Sequence, residues 1–285
     1  MSGEASLSQR AERALTAALE QGGGSRSIDG HGRVARLEQN MLDCMTVAQL
    51  REATAQVARG RGGELVPQDG HPPPMHSAFS SAALAINAFA CWQGDEALLS
   101  LGGFDGFERV GFERRFPIFA GGTPPHLDVV ADAPERLVAV ESKCTEYLRS
   151  HPAAFSDAYE RPEAVARLAH PSWEAEYRAL RADPGRYGFL DAAQLIKHYL
   201  GLKRHGGRSV TLLYLYWEPT NADEHEPFRS HRGEIEAFGR RLDDPELAFR
   251  AQSYAELWRD WEAVPEPSWI GEHGDNLRRR YDVAI

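Results

Sequence analysis

PPHLDVVADAPERLVAVESKCTEYL, residues 124–148, decides how this chain is read. Two β-rich runs, LDVVA (127–131) and LVAV (137–140), flank a short segment, 132–136, that contains Pro134. Such runs around a proline-bearing turn predict a hairpin. With the turn centred between Pro134 and Glu135, paired residues have numbers that sum to 269, which sets Asp128 opposite Glu141. Side chains alternate faces with period two, so Glu141 and Lys143 point the same way and Asp128 joins them across the ladder. Directly opposed residues hold their Cβ atoms about 4.5–5.5 Å apart. Two carboxylates at that spacing, next to Leu127, Val129, Val138 and Val140, need a shared proton, a cation or both. Mg²⁺ meets the need, since it takes oxygen ligands, is held by one or two carboxylates and keeps waters and phosphate oxygens. Lys143 lies one pleat beyond Glu141, in reach of both phosphate and attacking water. The constellation suits metal-assisted phosphodiester hydrolysis.

Working outward, residues 7–20 have apolar positions at helical spacing, and further helical stretches are expected at 33–45 and 46–59. GGGS at 22–25 reads as a linker. Residues 77–92 form an apolar helix with Phe79, Ala82, Ala83, Ile86 and Ala90 on one face. Short strands are expected at 107–112 and 115–119 before the hairpin. After it come Ala/Glu/Arg/Pro-rich residues that suggest an inserted helical pair, an amphipathic helix at 191–203 and a strand at 209–217. A helix at 231–242, a strand at 247–252 and a helix at 254–263 follow. A helix, strands in hairpin succession, then helix and strand again predict an α/β mixed sheet flanked by helices, not a bundle or sandwich.

Composition narrows the function classes. Of 285 residues, 42% are hydrophobic and 26% charged, and the net charge is −10, which argues against a polybasic nucleic-acid or membrane binder. Three scattered cysteines without CxxC spacing read as reduced thiols, which gives a cytoplasmic expectation. No apolar run approaches the roughly 20 residues needed to span a bilayer. No GxSxG elbow or GxGxxG fingerprint is present, and HEPFRSH (225–231) lacks zinc-site spacing.

The PPHLD run followed by ESK at the end of an apolar strand resembles the PD-(D/E)XK nuclease superfamily. The runs HSAFSSAALAINAF, LDVV…VAVESKCTEYL and FLDAAQLIKHYLGL are similar to a group of uncharacterised bacterial restriction-endonuclease-like proteins, over roughly residues 75–220. The resemblance implies a restriction-endonuclease-like mixed β-sheet flanked by helices, with an N-terminal helical extension. Composition along the chain divides it into a helical segment and linker (1–70), a nuclease-like domain (71–265) with inserted helices at about 150–188, and a C-terminal tail (266–285). The resemblance further implies that Asp128 and Glu141 bind Mg²⁺, with Mn²⁺ as a substitute, and that the Ser142 carbonyl adds a ligand. Lys143 would orient or activate the nucleophilic water. The implied substrate is DNA, cut by an endonuclease of restriction or repair type, with a homodimer as one arrangement.

Other residues fall into place around these. On the helix at 191–203, Gln194, Lys197, His198 and Gly201 share a stripe opposite the apolar arc; Gln194 and Lys197 are the candidates to face the site. Helix 77–92 carries no acid, a departure from the superfamily pattern, and Glu113 or Glu108 could supply the missing carboxylate. Asp132 reads as a turn residue and Glu146 as a cap or an outer acid. The rival readings are a nuclease fold retained as a non-catalytic nucleic-acid- or protein-binding module, and a glycosidase built on the two carboxylates.

Overall fold

In a computed structural model of the chain, the residues described are 5–22, 27–60, 63–68, 70–118, 124–149, 152–159, 165–166, 169–204, 208–264 and 267–285. Most of the GGGS run, residue 119 of the second expected strand and parts of the 150–188 insertion lie outside them. Three helices come first, α1 (Leu7–Gln21), α2 (Val47–Gly60) and α3 (Ser81–Phe89). Strands β1 (Arg109–Arg115), β2 (His126–Ala133) and β3 (Arg136–Lys143) follow. Next are α4 (Pro171–Ala182), α5 (Ala192–Lys203), β4 (Ser209–Tyr216), α6 (Glu226–Gly239), β5 (Leu247–Ser253), α7 (Tyr254–Glu262) and α8 (Trp269–Tyr281).

The strands form one mixed sheet in chain order. β1, β2 and β3 pair antiparallel, whereas β3–β4 and β4–β5 are parallel. Parallel neighbours need long crossovers, and α4 with α5, then α6, supply them. β4 is buried from Val210 to Tyr216 because helices cover both its faces, so it reads as a near-continuous apolar run. On one face Val129, Ala131, Val138, Val140 and Leu213 pack with Ala83 and Ile86 of α3, Trp258 of α7 and Leu277 of α8. On the other, Val130, Leu137, Ala139 and Leu212 meet Trp173 of α4, Leu195 and Tyr199 of α5, and Phe238 of α6. The architecture is the expected mixed α/β sheet, consistent with a restriction-endonuclease-like fold.

The hairpin register is the one the turn dictates, with Val129 opposite Val140 and Ala133 opposite Arg136. Several other expectations change. Residues 33–45 hold only a short 3₁₀ turn at Leu37–Asn40, because Asn40 is spent on the carbonyls of Met75 and Ser77. Of the two strands expected at 107–112 and 115–119, the first is β1, which runs on to Arg115, whereas residues 116–118 are not in a strand. The helix expected at 77–92 begins only at Ser81, where Ser80 caps the Ala83 N–H. Asp132 is not in a turn; it is a buried strand residue gripped by Arg109 (3.1 Å), Arg114 (3.0 Å) and Arg208. Those three guanidiniums hold its carboxyl below the usual range against the upward push of burial. The stretch read as a tail contains α8, whose buried Arg280 donates to the carbonyls of Leu15 and Ala78 and so fastens α1 to the core.

Helix α5 lies against the chain entering β2 because residue 201 lacks a side chain. A Cβ there would stand 2.7 Å from the Phe116 carbonyl oxygen, 2.9 Å from Phe116 Cβ and 3.1 Å from Pro125 Cγ. Gly201→Ala should therefore cost about 1–3 kcal/mol by overpacking. Urea unfolding checks this, and an unchanged midpoint would contradict the close contact.

Candidate active site

The carboxylates meet where the ladders stop. β1–β2 pairing runs from Arg109–Asp132 to Phe112–Val129 and resumes at Arg114–Leu127, leaving Glu113 and Asp128 out. β2–β3 pairing likewise begins only at Val129–Val140, so Asp128 and Glu141 are not ladder partners. By continuation of both registers, Glu113, Asp128 and Glu141 fall on one row across three strands. Glu113 takes φ +50°, a left-handed conformation rare for a residue with a side chain. Asp128 uses its carboxylate in place of a ladder bond, with Oδ2 accepting the Ser142 N–H at 2.7 Å. Ser142 turns its hydroxyl to the opposite face, within 2.7 Å of the Tyr254 hydroxyl and 3.3 Å of the Ser81 carbonyl.

Above this row lies α5, started by Asp191, whose side chain accepts the Gln194 N–H at 2.9 Å. The helix delivers Gln194 and His198 to the end of β3. Lys143 Nζ lies 2.6 Å from Glu141 Oε1 and donates to Gln194 Oε1 at 2.8 Å. His198 Nε2 lies 2.7 Å from Glu141 Oε2. Glu141 and His198 are each only 2% exposed, so these contacts are shielded from solvent. The candidate site residues Asp128, Glu141, Lys143 and Gln194 are thus brought together. Lys197 reaches the same cavity, its ammonium 5.5 Å from the Phe155 ring.

The cavity, of about 410 Å³, is also lined by Glu64, Glu113, His126 and Asp191. Glu113, raised as a stand-in for the missing helix acid, is here, 3.3 Å from His126 Nδ1. Glu108 is exposed and sits at the other end of the strand. Glu146 accepts the Cys144 N–H at 2.7 Å and so caps the turn after β3. Glu64, His126 and Asp191 are not marked by the sequence, and Glu64 lies in the stretch read as a helical segment and linker. His198 was underweighted, although its place on the stripe with Gln194 and Gly201 was the signal. That stripe faces the site and the chain before β2, not solvent.

Electrostatics divide the acids. Burial would raise Glu141, but Lys143 and His198 more than offset it and hold the carboxyl at about 2. Asp128 goes the other way, pushed well above the carboxylate range by burial and by the charges of Glu141 and Glu113. Burial, with repulsion from Glu113 and Glu146, lifts Glu64 to about 7. Lys143 is pulled down by burial but raised overall by Glu141, Glu146 and Asp128. A pocket of hard oxygen donors, in which Asp128 has one hydrogen bond and repulsion from Glu141 and Glu113 that Lys143 only partly offsets, fits a divalent cation. Among the described residues no group of three or more His, Cys, Asp or Glu side chains is placed to hold a metal ion. Asp128 and Glu141 are the two carboxylates of the cavity that could share a cation.

Glu64 gives a pH dependence with a definite sign. Below its ordinary value of 4.5 both folded and unfolded chains carry the proton, and the residue has no effect. From 4.5 to about 7 the unfolded chain ionises first, so stability falls as pH rises, and the loss is complete above 7. Without divalent ions, Glu64→Gln should leave Tm unchanged below pH 4.5 and raise it increasingly up to about pH 7. A constant offset at every pH would be the wrong result.

No helix among the described residues is long and apolar enough to cross a membrane. No curated protein and no solved structure matches the chain. The family described as restriction endonuclease associating with ARP matches residues 17–282, a span that takes in all five strands, α5 and Glu64. The chain belongs to that restriction-endonuclease-like family.

Proposed function

We propose that the chain is a Mg²⁺-dependent deoxyribonuclease, an endonuclease of restriction or repair type. Family membership supports a nuclease-type function in general. The observation that carries the finer reading is the row of acids on interrupted ladders, with the Lys143 ammonium between Glu141 and Gln194. Asp128 and Glu141, with the Ser142 carbonyl, would hold Mg²⁺, and Mn²⁺ could replace it. When bound there, such an ion would supply positive charge to offset the paired acids and Lewis-acid polarisation of a phosphodiester.

The chain's own groups do the rest. Lys143 is protonated in this arrangement, so it serves as a fixed positive charge that orients water and phosphate, not as a free base. Gln194 holds Lys143 from the helix side, and His198 holds the second oxygen of Glu141. Lys197 lines the cavity with an aromatic ring as its neighbour and, among the described residues, no carboxylate hydrogen-bonded to it, although the charge of Asp191 acts on it; it is a suitable anchor for a substrate phosphate. A net charge of −10 makes strong non-specific DNA affinity unfavourable. Binding would then draw on the metal, the cut site or a second protein; the family description speaks of association with ARP. A homodimer would let both strands be cut. The free cysteines Cys44, Cys91 and Cys144 suit a cytoplasmic setting.

Plasmid cleavage tests the proposal. Wild type should cut with Mg²⁺ or Mn²⁺ and stop with EDTA. Asp128→Asn and Lys143→Ala should each lower kcat by about 10²-fold or more while remaining folded. DNA retention without cleavage under any metal would point instead to a binding module with a nuclease fold.

A further inference from the structure

From positions one helical turn apart, α6 contacts the strand beside Glu141 and the turn that leads into the helix of His198. His231 lies with Nε2 3.0 Å from the Tyr214 hydroxyl, and Tyr214 is the register partner of Glu141 on β4. Glu234 accepts hydrogen bonds from successive main-chain amides: Gly188 N–H at 2.7 Å, Phe189 N–H at 2.9 Å and Leu190 N–H at 2.8 Å. Among the described residues these amides are its only bonded partners. They immediately precede Asp191, the cap of α5, and Ala192 N–H bonds back to the Leu190 carbonyl at 2.8 Å. Helix α6 is itself fixed to the core through Phe228, His231, Ile235 and Phe238.

We infer that Glu234 is a positioning residue for the site, holding the entry to α5 so that Gln194 and His198 meet Lys143 and Glu141. The inference rests on the nuclease reading for its catalytic consequence but not for its structural one. A carboxylate is suited to this task because both oxygens are acceptors, and a charged acceptor strengthens each amide bond. Glutamine keeps the shape but turns one acceptor into an N–H donor facing an amide N–H. Aspartate keeps the charge on a shorter arm. A merely stabilising contact would leave the ring of His198 undisturbed when it is lost.

The experiment compares Glu234→Gln, Glu234→Asp and the control Glu236→Ala with wild type. Glu236 is on the same helix but exposed, and its one ion-pair partner among the described residues is Arg240 at 3.2 Å. Hydrogen exchange reads the amides at 188–190, ring ¹⁵N NMR reads His198, and plasmid cleavage gives kcat and KM. Glu234→Gln should speed exchange at 188–190 and shift the His198 ring signals. It should lower kcat about 100-fold with little change in KM, the scale of a small misplacement of catalytic groups. Glu234→Asp should fall between it and wild type, and Glu236→Ala should match wild type. Unchanged His198 signals in both Glu234 variants would overturn the inference, whether or not exchange rises; so would equal effects from Glu236→Ala. If wild type cuts no DNA, the nuclease reading falls, while the exchange and ring signals still decide the role of Glu234.

Discussion

Glu141 sits on a strand paired on both sides, under a helix, with almost no access to water. A bare carboxylate there would be expensive to bury, and the site exists because Lys143 and His198 each hold one of its oxygens. Removing one partner of such a buried pair typically costs about 3–5 kcal/mol. The His198 contact therefore ties β3 to α5 in addition to the apolar packing around it. It also explains why that helix is buried on nearly every side, including the stripe carrying His198 and Gly201.

The second constraint is the break in the ladders at Asp128. A regular sheet would use up the main-chain groups of Glu113, Asp128 and Glu141 in pairing. Here Glu113 adopts a conformation that costs on the order of 1–3 kcal/mol for a residue with a side chain. The sheet tolerates it because α2 ends in a glycine; a Cβ on Gly60 would lie 2.7 Å from Glu113 Cβ. The freed Ser142 amide then anchors the Asp128 carboxylate. Local disorder of pairing and a concentration of acid are two aspects of one arrangement.

Much of this could be read from the chain. The hairpin, its register and the convergence of Asp128, Glu141 and Lys143 followed from strand alternation and one proline-bearing turn, which are local properties. Gln194 was legible from the polar stripe of an otherwise apolar helix. Glu64 and His126 were not, because nothing near them in sequence marks their proximity to the hairpin. Asp132 was misread for a related reason: turn-forming composition describes the bare chain, whereas the arginines that keep Asp132 in the strand come from as far away as Arg208. The left-handed Glu113 leaves no trace in sequence, since the glycine that permits it is on another element.

The Gly60 contact also bears on how this protein could have been assembled. The glycine that leaves room for Glu113, and Glu64 four positions later, both belong to the chain ahead of the sheet. That leading segment forms part of the cavity wall. Replacing it with an unrelated module by gene fusion would remove an acid and unseat a strained strand residue together, so its inheritance is tied to that of the hairpin it touches.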